Sequence, residues 1–350
     1  MDQTFEITPV NKEIEATIQQ KIDIKTKPLG ALGMLEKIAL KVGCIQNCLT
    51  PKLNKPHIIV FAGDHGIANS GISPYPQEVT NQMVMNFLKG GAAINVFARQ
   101  HQLELIIADT GVNFDFSDFG KEYPMFRDLK IAYGTKNYLN NPAMSREECE
   151  KAINNGANLI SEIHQNGCNT VGFGEMGISN TSSAALLMHL FTQVPLPDCV
   201  GSGTGLGQPG INRKTEILGN CLSKHKPLTD PLNILKTFGG FEIATMTGAF
   251  LQAASLGMVI LVDGFIASSA LLAANAINPL VLEYCIFCHS SAEKGHQKLL
   301  EFFKAKPILN LEMKLGEGTG AAVCFPLIQS SVNFLNDMAS FESAGVSEAS

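Results

Sequence analysis

Apolar residues arrive in this chain in two rhythms. Long segments carry them at helical spacing: Val79 to Arg99, Arg146 to His164, Phe241 to Ala254 and Phe265 to Ala276. Between these lie short unbroken apolar runs, each ending in small or polar residues. His57 to Ala62 ends in Gly63-Asp-His-Gly66, Leu103 to Ala108 in Asp109-Thr-Gly111, and Thr170 to Phe173 in Gly174-Glu-Met-Gly177. Cys199-Val200 ends in the glycine-rich stretch Gly201 to Gly207, Met258 to Val262 in Asp263-Gly264, and Val281 to Cys288 in His289-Ser-Ser291. Continuous rather than alternating runs, separated by helices, predict a parallel sheet covered on both faces, an α/β fold of Rossmann-like type.

The two ends of the chain lack such runs. Residues 1–20 are polar and read as a solvated approach and first helix. Lys21 to Cys48 has helical spacing broken at Pro28-Leu-Gly-Ala-Leu-Gly33. Near the other end, glycines at 316, 318 and 320 precede an apolar helix from Val323 to Met338, and the tail from Phe341 reads as frayed. The expected organisation is an N-terminal helical segment (1–50), a large α/β domain (51–312), and a C-terminal loop and helix (313–350) that joins the first segment in a small helical domain.

Composition narrows the class. With 350 residues, 45% apolar and 17% charged, the chain is globular and can bury a sizeable core. A net charge of −6 argues against a nucleic-acid or anionic-membrane binder, so any basic site is local. The polar N-terminus has no secretory h-region, and the longest apolar stretch, Ala253 to Leu261, is too short to span a bilayer. Nine cysteines in mostly apolar surroundings then read as reduced core thiols, and the expected location is the cytoplasm.

In parallel sheets ligands bind beyond the carboxyl ends of the strands. Here those ends carry Asp64, His65, Asp109, Glu175, the 201–207 glycines, Asp263, His289, Ser290 and Ser291. One stretch stands out. Gly174-Glu-Met-Gly177 places Glu175 among glycines, then supplies Ser179, Asn180, Thr181, Ser182 and Ser183 ahead of an apolar helix. Hydroxyls and backbone N–H groups at a helix N-terminus hold anions, which makes the carboxylate odd. It suggests a substrate with both a phosphate and a cationic or proton-donating centre. A second glycine-framed acid, Glu317, lies far downstream in Leu315-Gly-Glu-Gly-Thr-Gly320. These two loops are expected to meet.

Other strings weigh less. Gly172-Phe-Gly-Glu-Met-Gly177, with Asp198 further on, matches a dinucleotide fingerprint, but Glu175 would face the pyrophosphate. Cys285-Ile-Phe-Cys-His289 spells a haem-attachment string inside an apolar run, without an export signal or partner ligands. Gly201 to Gly207 lacks the Lys-Ser/Thr of a phosphate-binding P-loop. Asp64-His65 reads as turn or helix capping rather than a dyad, and Ser290 with Glu293 as a capping box.

Taken together, eight strings become specific. Gly63-Asp-His-Gly66, Tyr75-Pro-Gln-Glu-Val-Thr80, Gly90-Gly-Ala-Ala-Ile-Asn95, Gly174-Glu-Met-Gly-Ile-Ser-Asn-Thr181, Gly239-Gly-Phe-Glu242, Asp263-Gly-Phe265, Ser291-Ala-Glu-Lys-Gly295 and Leu315 to Ala322 resemble, in order, the nicotinate-nucleotide–dimethylbenzimidazole phosphoribosyltransferase family. The likeness runs from about Lys27 to Met338. It implies a homodimer that moves ribose 5-phosphate from nicotinate mononucleotide to a benzimidazole, giving α-ribazole 5′-phosphate for cobalamin without metal or redox cofactor. By the same likeness Glu317 is the general base and Glu175 a second acid at the reacting centre. The phosphoribosyl group is assigned to Gly174, Gly177, Ser179, Asn180, Thr181, Gly203, Lys214, Asp263 and Ser291. The base is assigned to Tyr75, Met83, Met176, Leu315 and Gly316. Two other classes compete: a nucleotide-dependent oxidoreductase using the 172–177 string, and a sensor that binds mononucleotide without turnover.

Overall fold

The computed structural model describes residues 4–203, 205–225 and 227–347. Six parallel strands form one sheet: β1 (His57–Gly63), β2 (Glu104–Gly111), β3 (Phe126–Asp128), β4 (Thr170–Met176), β5 (Val259–Val262) and β6 (Cys285–Phe287), in the order β3-β2-β1-β4-β5-β6. The order reverses between β1 and β4, where Phe61 lies opposite Glu175 and Ala62 opposite Met176. A doubly wound sheet opens a crevice at such a reversal, beyond the carboxyl ends of the strands.

Both faces are covered, as unbroken apolar strands require. On one side pack the helices Arg146–Gln165, Phe241–Ser255, Phe265–Ile277 and Asn180–Thr192; on the other, Val79–Leu88, Ala93–Gln100 and Thr319–Asp337. Glycines set the closest approaches. A Cβ on Gly156 would sit 1.9 Å from the carbonyl oxygen of Thr245, so the Arg146–Gln165 and Phe241–Ser255 helices cross almost backbone to backbone. Gly172, inside β4, leaves room for Ile58 and for Ala321 of the Thr319–Asp337 helix. Gly172 and Gly174 therefore serve packing within a strand, and are not the tight turn of a dinucleotide loop.

Helices Glu15–Asp23 and Met34–Ile45 pack with Thr319–Asp337, and Ile18, Ile22, Ala39, Cys44 and Leu335 form an apolar cluster of their own. Several expectations need correction. Phe5 and Ile7 are buried in the main core, and Val10 N–H donates to Glu283, so this part of the approach segment is not solvated. Cys199 ends a short helix, Leu196–Cys199, instead of a strand, because Pro195 and Pro197 remove the donors a ladder needs. Val79 to Arg99 is two helices divided at Gly90-Gly91. Val281 to Tyr284 is 3₁₀ helix, leaving only three residues for β6. β3 is too short to show a periodic signal. The tail is tied down as far as Phe341, whose N–H donates to Ile24 O, and Ser340 caps a last turn, Phe341–Ala344; residues 348–350 lie outside the described residues. Among the described residues no helix is long and apolar enough to cross a membrane. All nine cysteines are free thiols.

Candidate active site

A cavity of about 480 Å³ opens over the β1/β4 reversal. Glu175 and Glu317 share one wall. Glu175 leaves the end of β4, and a Cβ on Gly316 would lie 2.2 Å from its Oε1. Gly174 lies directly against the Glu317–Gly318 peptide, with its would-be Cβ 2.2 Å from the Glu317 carbonyl carbon. Such contact is open only to glycine. The loop that carries Glu317 takes three consecutive left-handed residues, with φ of +88° at Gly316, +60° at Glu317 and +79° at Gly318. A glutamate in that region costs of order 1–3 kcal/mol, held by its surroundings. The two distant loops do meet.

Each acid is set by its environment. Glu175 is buried, accepts a hydrogen bond from Asn180 Nδ2, and is pushed up to about 8, chiefly by burial. The charges of Asp263, Glu242 and Glu317 push the same way. Glu317 is also raised by burial; the N–H of Ile94, 3.3 Å from its Oε2 at the start of the Ala93–Gln100 helix, opposes the shift. Asp263, at the end of β5, accepts from Ala321 N–H at 3.0 Å and so caps the Thr319–Asp337 helix that follows Glu317. His289 Nε2 stands 3.7 Å from the same carboxylate oxygen.

Beside Glu175, where Asn180 bonds it, the cavity can take an anion. The Asn180–Thr192 helix begins there, after Ser179 at φ +77°. Thr181 Oγ1 accepts from Lys214 Nζ at 2.7 Å, and Gly203 leaves space beside both. Lys214 is buried and lowered to about 8 by desolvation, with Glu293 opposing that shift. Asn180, Thr181, Gly177, Gly203, Asp263 and Ser291 line the cavity. Ser179, Gly174 and Lys214 stand behind it: Gly174 as packing, Ser179 buried with no partner for its hydroxyl among the described residues, and Lys214 through Thr181. Tyr75, Met83, Met176, Leu315 and Gly316 form an apolar approach to the glutamates.

Sequence reasoning missed several wall residues. Val79, Ile178 and Phe265 add apolar surface, and Glu293 and Lys314 add polar groups; His289, expected at a strand end, lines the cavity as well. Phe265 lies just past the end of β5, a signal that could have found it. Glu293 was masked by a capping-box pattern, which is incorrect here. The next helix starts only at His296, and the Glu293 carboxylate turns toward Gly201. His65 stands at the N-cap of the short 3₁₀ helix Gly66–Ser70, but neither its side chain nor that of Asp64 caps it. Asp64 Oδ2 accepts from Asn113 N–H at 2.8 Å, and His65 Nε2 lies 2.6 Å from Glu242 Oε1. Asp198 is half-buried and paired with Lys298 at 2.9 Å, far in role from a ribose ligand. Cys285 and Cys288 are buried thiols pushed up by desolvation.

A doubly wound sheet with an acidic wall and an anion-ready helix start at its switch point fits a group-transfer enzyme of the α/β class. A family model described as "Phosphoribosyltransferase" matches residues 7–346. The chain is 54% identical over 348 residues to the nicotinate-nucleotide–dimethylbenzimidazole phosphoribosyltransferase of Dechloromonas aromatica, covering 99% of each. It is 53% identical over 345 residues to the protein of that name from Cupriavidus taiwanensis, again 99% of each. Among solved structures, CobT from Thermus thermophilus superposes with a TM-score of 0.92 at 36% identity, over 96% of this chain and 100% of that one. The chain belongs to the nicotinate-nucleotide–dimethylbenzimidazole phosphoribosyltransferase family.

Proposed function

We propose that this chain transfers the 5-phosphoribosyl group of nicotinate mononucleotide to 5,6-dimethylbenzimidazole or a related base, with inversion at C1′, in building the cobalamin nucleotide loop. The observation that carries this reading is the convergence of Glu175 and Glu317 on one wall of a cavity that also takes in a helix N-terminus, whose Asn180 bonds Glu175. Carboxylates beside an anion-ready helix start suit a substrate that carries both a phosphate and a pyridinium. The helix start and Thr181, backed by Lys214, take the phosphate. The apolar approach beside Met83, Met176 and Leu315 takes the flat base.

The steps balance without a further reactant. The unprotonated ring nitrogen of the base attacks C1′ from the face opposite nicotinate. The C1′–N bond to nicotinate breaks, and its electron pair neutralises the pyridinium. The other ring nitrogen of the base loses its proton to Glu317, whose raised pKa makes it a better acceptor than an ordinary carboxylate. Two neighbouring acids whose environments differ take different roles. Glu175 holds a proton at neutral pH in the free protein, and a bound pyridinium favours its ionised form. Its charge then supports the positive charge spread over the ribose as the bond breaks.

Two broader readings belong with this one. The family resemblance and the half-exposed Tyr75 and Leu315 at the cavity mouth support a homodimer, and nine free thiols support a reducing, cytoplasmic setting. The deciding experiment is incubation with nicotinate mononucleotide and a panel of benzimidazoles, purines and phenols, with mass detection of α-ribosides. Absence of any riboside, with nicotinate mononucleotide still bound, would favour the sensor reading. Saturable NADH binding with hydride transfer would favour the oxidoreductase.

A further inference from the structure

Beneath the cavity floor lies a hydrogen-bonded chain that the proposed chemistry does not use. His65 Nε2 is 2.6 Å from Glu242 Oε1, and His65 Nδ1 is 3.1 Å from Ser183 Oγ. All three side chains are fully buried. The order serine–imidazole–carboxylate is that of a nucleophilic triad. Here no substrate reaches it, since none of the three lines the cavity.

What surrounds the pair is more telling than the chain itself. Glycines from three separate loops close on it. A Cβ on Gly240 would lie 2.3 Å from both His65 Cε1 and Glu242 Oε2, and one on Gly63 2.9 Å from Glu242 Oε2. A Cβ on Gly177 would lie 3.4 Å from His65 Cδ2 and 2.4 Å from Gly63 O. Gly177 lines the cavity and opens the turn into the Asn180–Thr192 helix, which also carries Ser183. The same turn is held once more from the Val79–Leu88 helix, by Thr80 Oγ1 accepting from Ile178 N–H. Hence the ends of β1 and β4, the start of the Phe241–Ser255 helix and the anion-facing helix are all referenced to one imidazole.

We propose that His65 is the positioning residue of the phosphoribosyl half of the site, fixing the height and angle of the Gly177–Thr181 turn through Glu242 below and Ser183 beside it. This rests on the assignment of that turn to the nucleotide phosphate. Phosphate binding is shared by ground and transition states, so disturbing the turn weakens nucleotide binding more than it slows the chemical step. The base-side residues Met83, Leu315 and Gly316 belong to other segments than that turn.

The test uses the full-length protein and the variants Ser183→Ala, His65→Leu and His65→Gln. Expected for His65→Leu is a rise of about tenfold or more in KM for nicotinate mononucleotide, the size of one lost charge-assisted hydrogen bond. KM for the base should not change, and kcat should change far less. Ser183→Ala should give a smaller rise in the same KM; it keeps the inference testable if His65→Leu does not fold. His65→Gln, whose amide can still reach Glu242, should recover part of the loss. Inorganic phosphate titrated by calorimetry reads the same link without turnover: weaker affinity in the folded variants supports it, and unchanged affinity overturns it. Equal rises in both KM values, or a lower melting temperature with wild-type KM, also overturn it. If the wild-type protein makes no riboside but the phosphate affinities fall as expected, the transferase assignment fails and the role of His65 stands.

Discussion

Gly174 and Glu317 touch through their backbones: a Cβ on the former would lie 2.2 Å from the carbonyl carbon of the latter. The height of the second glutamate above the sheet is therefore set by a missing methyl group in a strand. Gly174→Ala must push the Glu317–Gly318 peptide away or bend β4. Overpacking of this kind costs about 1–3 kcal/mol. We expect a modest fall in melting temperature and a much larger loss of turnover, because the displaced group is the proposed base. Melting curves and kcat on the same preparation check this; a folded variant with wild-type kcat refutes the proposed placement.

Glu317→Gln separates chemistry from structure. The amide oxygen can still accept the Ile94 N–H, and the side chain keeps its volume. What disappears is the capacity to take a proton. General-base catalysis contributes about 10²–10⁴-fold, so kcat should fall by at least roughly a hundredfold. Binding of nicotinate mononucleotide should stay near the wild-type value. Single-turnover rates decide the matter, and a rate close to wild type removes the assigned role.

Glu175 predicts a pH dependence of stability. Its pKa is raised from an ordinary 4.5 to about 8, mainly by burial. Between those values the native protein holds a proton that the unfolded chain has released. Stability from this group is thus fully present near pH 4.5, declines as pH rises, and is lost above about 8. Glu175→Gln keeps a neutral side chain at every pH. The difference in melting temperature, variant minus wild type, should grow from pH 5 to pH 8.5, reaching about 2 °C or more. A difference independent of pH would mean that Glu175 is already ionised in the native state.

Much of this architecture was legible from the chain. Runs such as His57 to Ala62 and Met258 to Val262 are apolar at every position because both faces of their strands are covered, and they became β1 and β5. Strand ends named Glu175, Asp263, His289 and Ser291, which line one cavity, but also Asp64, His65 and Asp109, which do not. The glycines around Glu175 and Glu317 signalled close approach, but not its partner, since a missing Cβ says only that something is near. What stayed hidden depended on contacts between distant segments. His65 and Glu242 are 177 residues apart and meet as a buried pair. Glu293 satisfied a local capping pattern that the tertiary fold overrode. Cys199-Val200 had the composition of a strand end, yet the prolines at 195 and 197 turned it into a helix.

Lys214 offers a test of the phosphate end that does not depend on the base. Its ammonium is buried behind Thr181, and desolvation lowers its pKa to about 8. The charged form costs stability in the free protein and is recovered when an anion arrives. Lys214→Met, similar in bulk and uncharged, should therefore fold at least as well as wild type at pH 7. Losing one charged hydrogen-bond donor, worth about 1.5–3 kcal/mol, should raise Kd for inorganic phosphate roughly ten- to a hundredfold. In the wild-type protein phosphate affinity should also fall from pH 8 to pH 10, as the free lysine gives up its proton, and the variant should lack that fall. Stability runs the other way. Above about pH 8 the native lysine is neutral while the unfolded one, with an ordinary value of 10.5, still binds a proton, so wild-type stability gains from pH 8 to pH 10 relative to the variant. Calorimetric titrations with phosphate and melting curves across that range read both slopes. Parallel curves for wild type and variant would show that Lys214 neither senses the anion nor carries the buried charge.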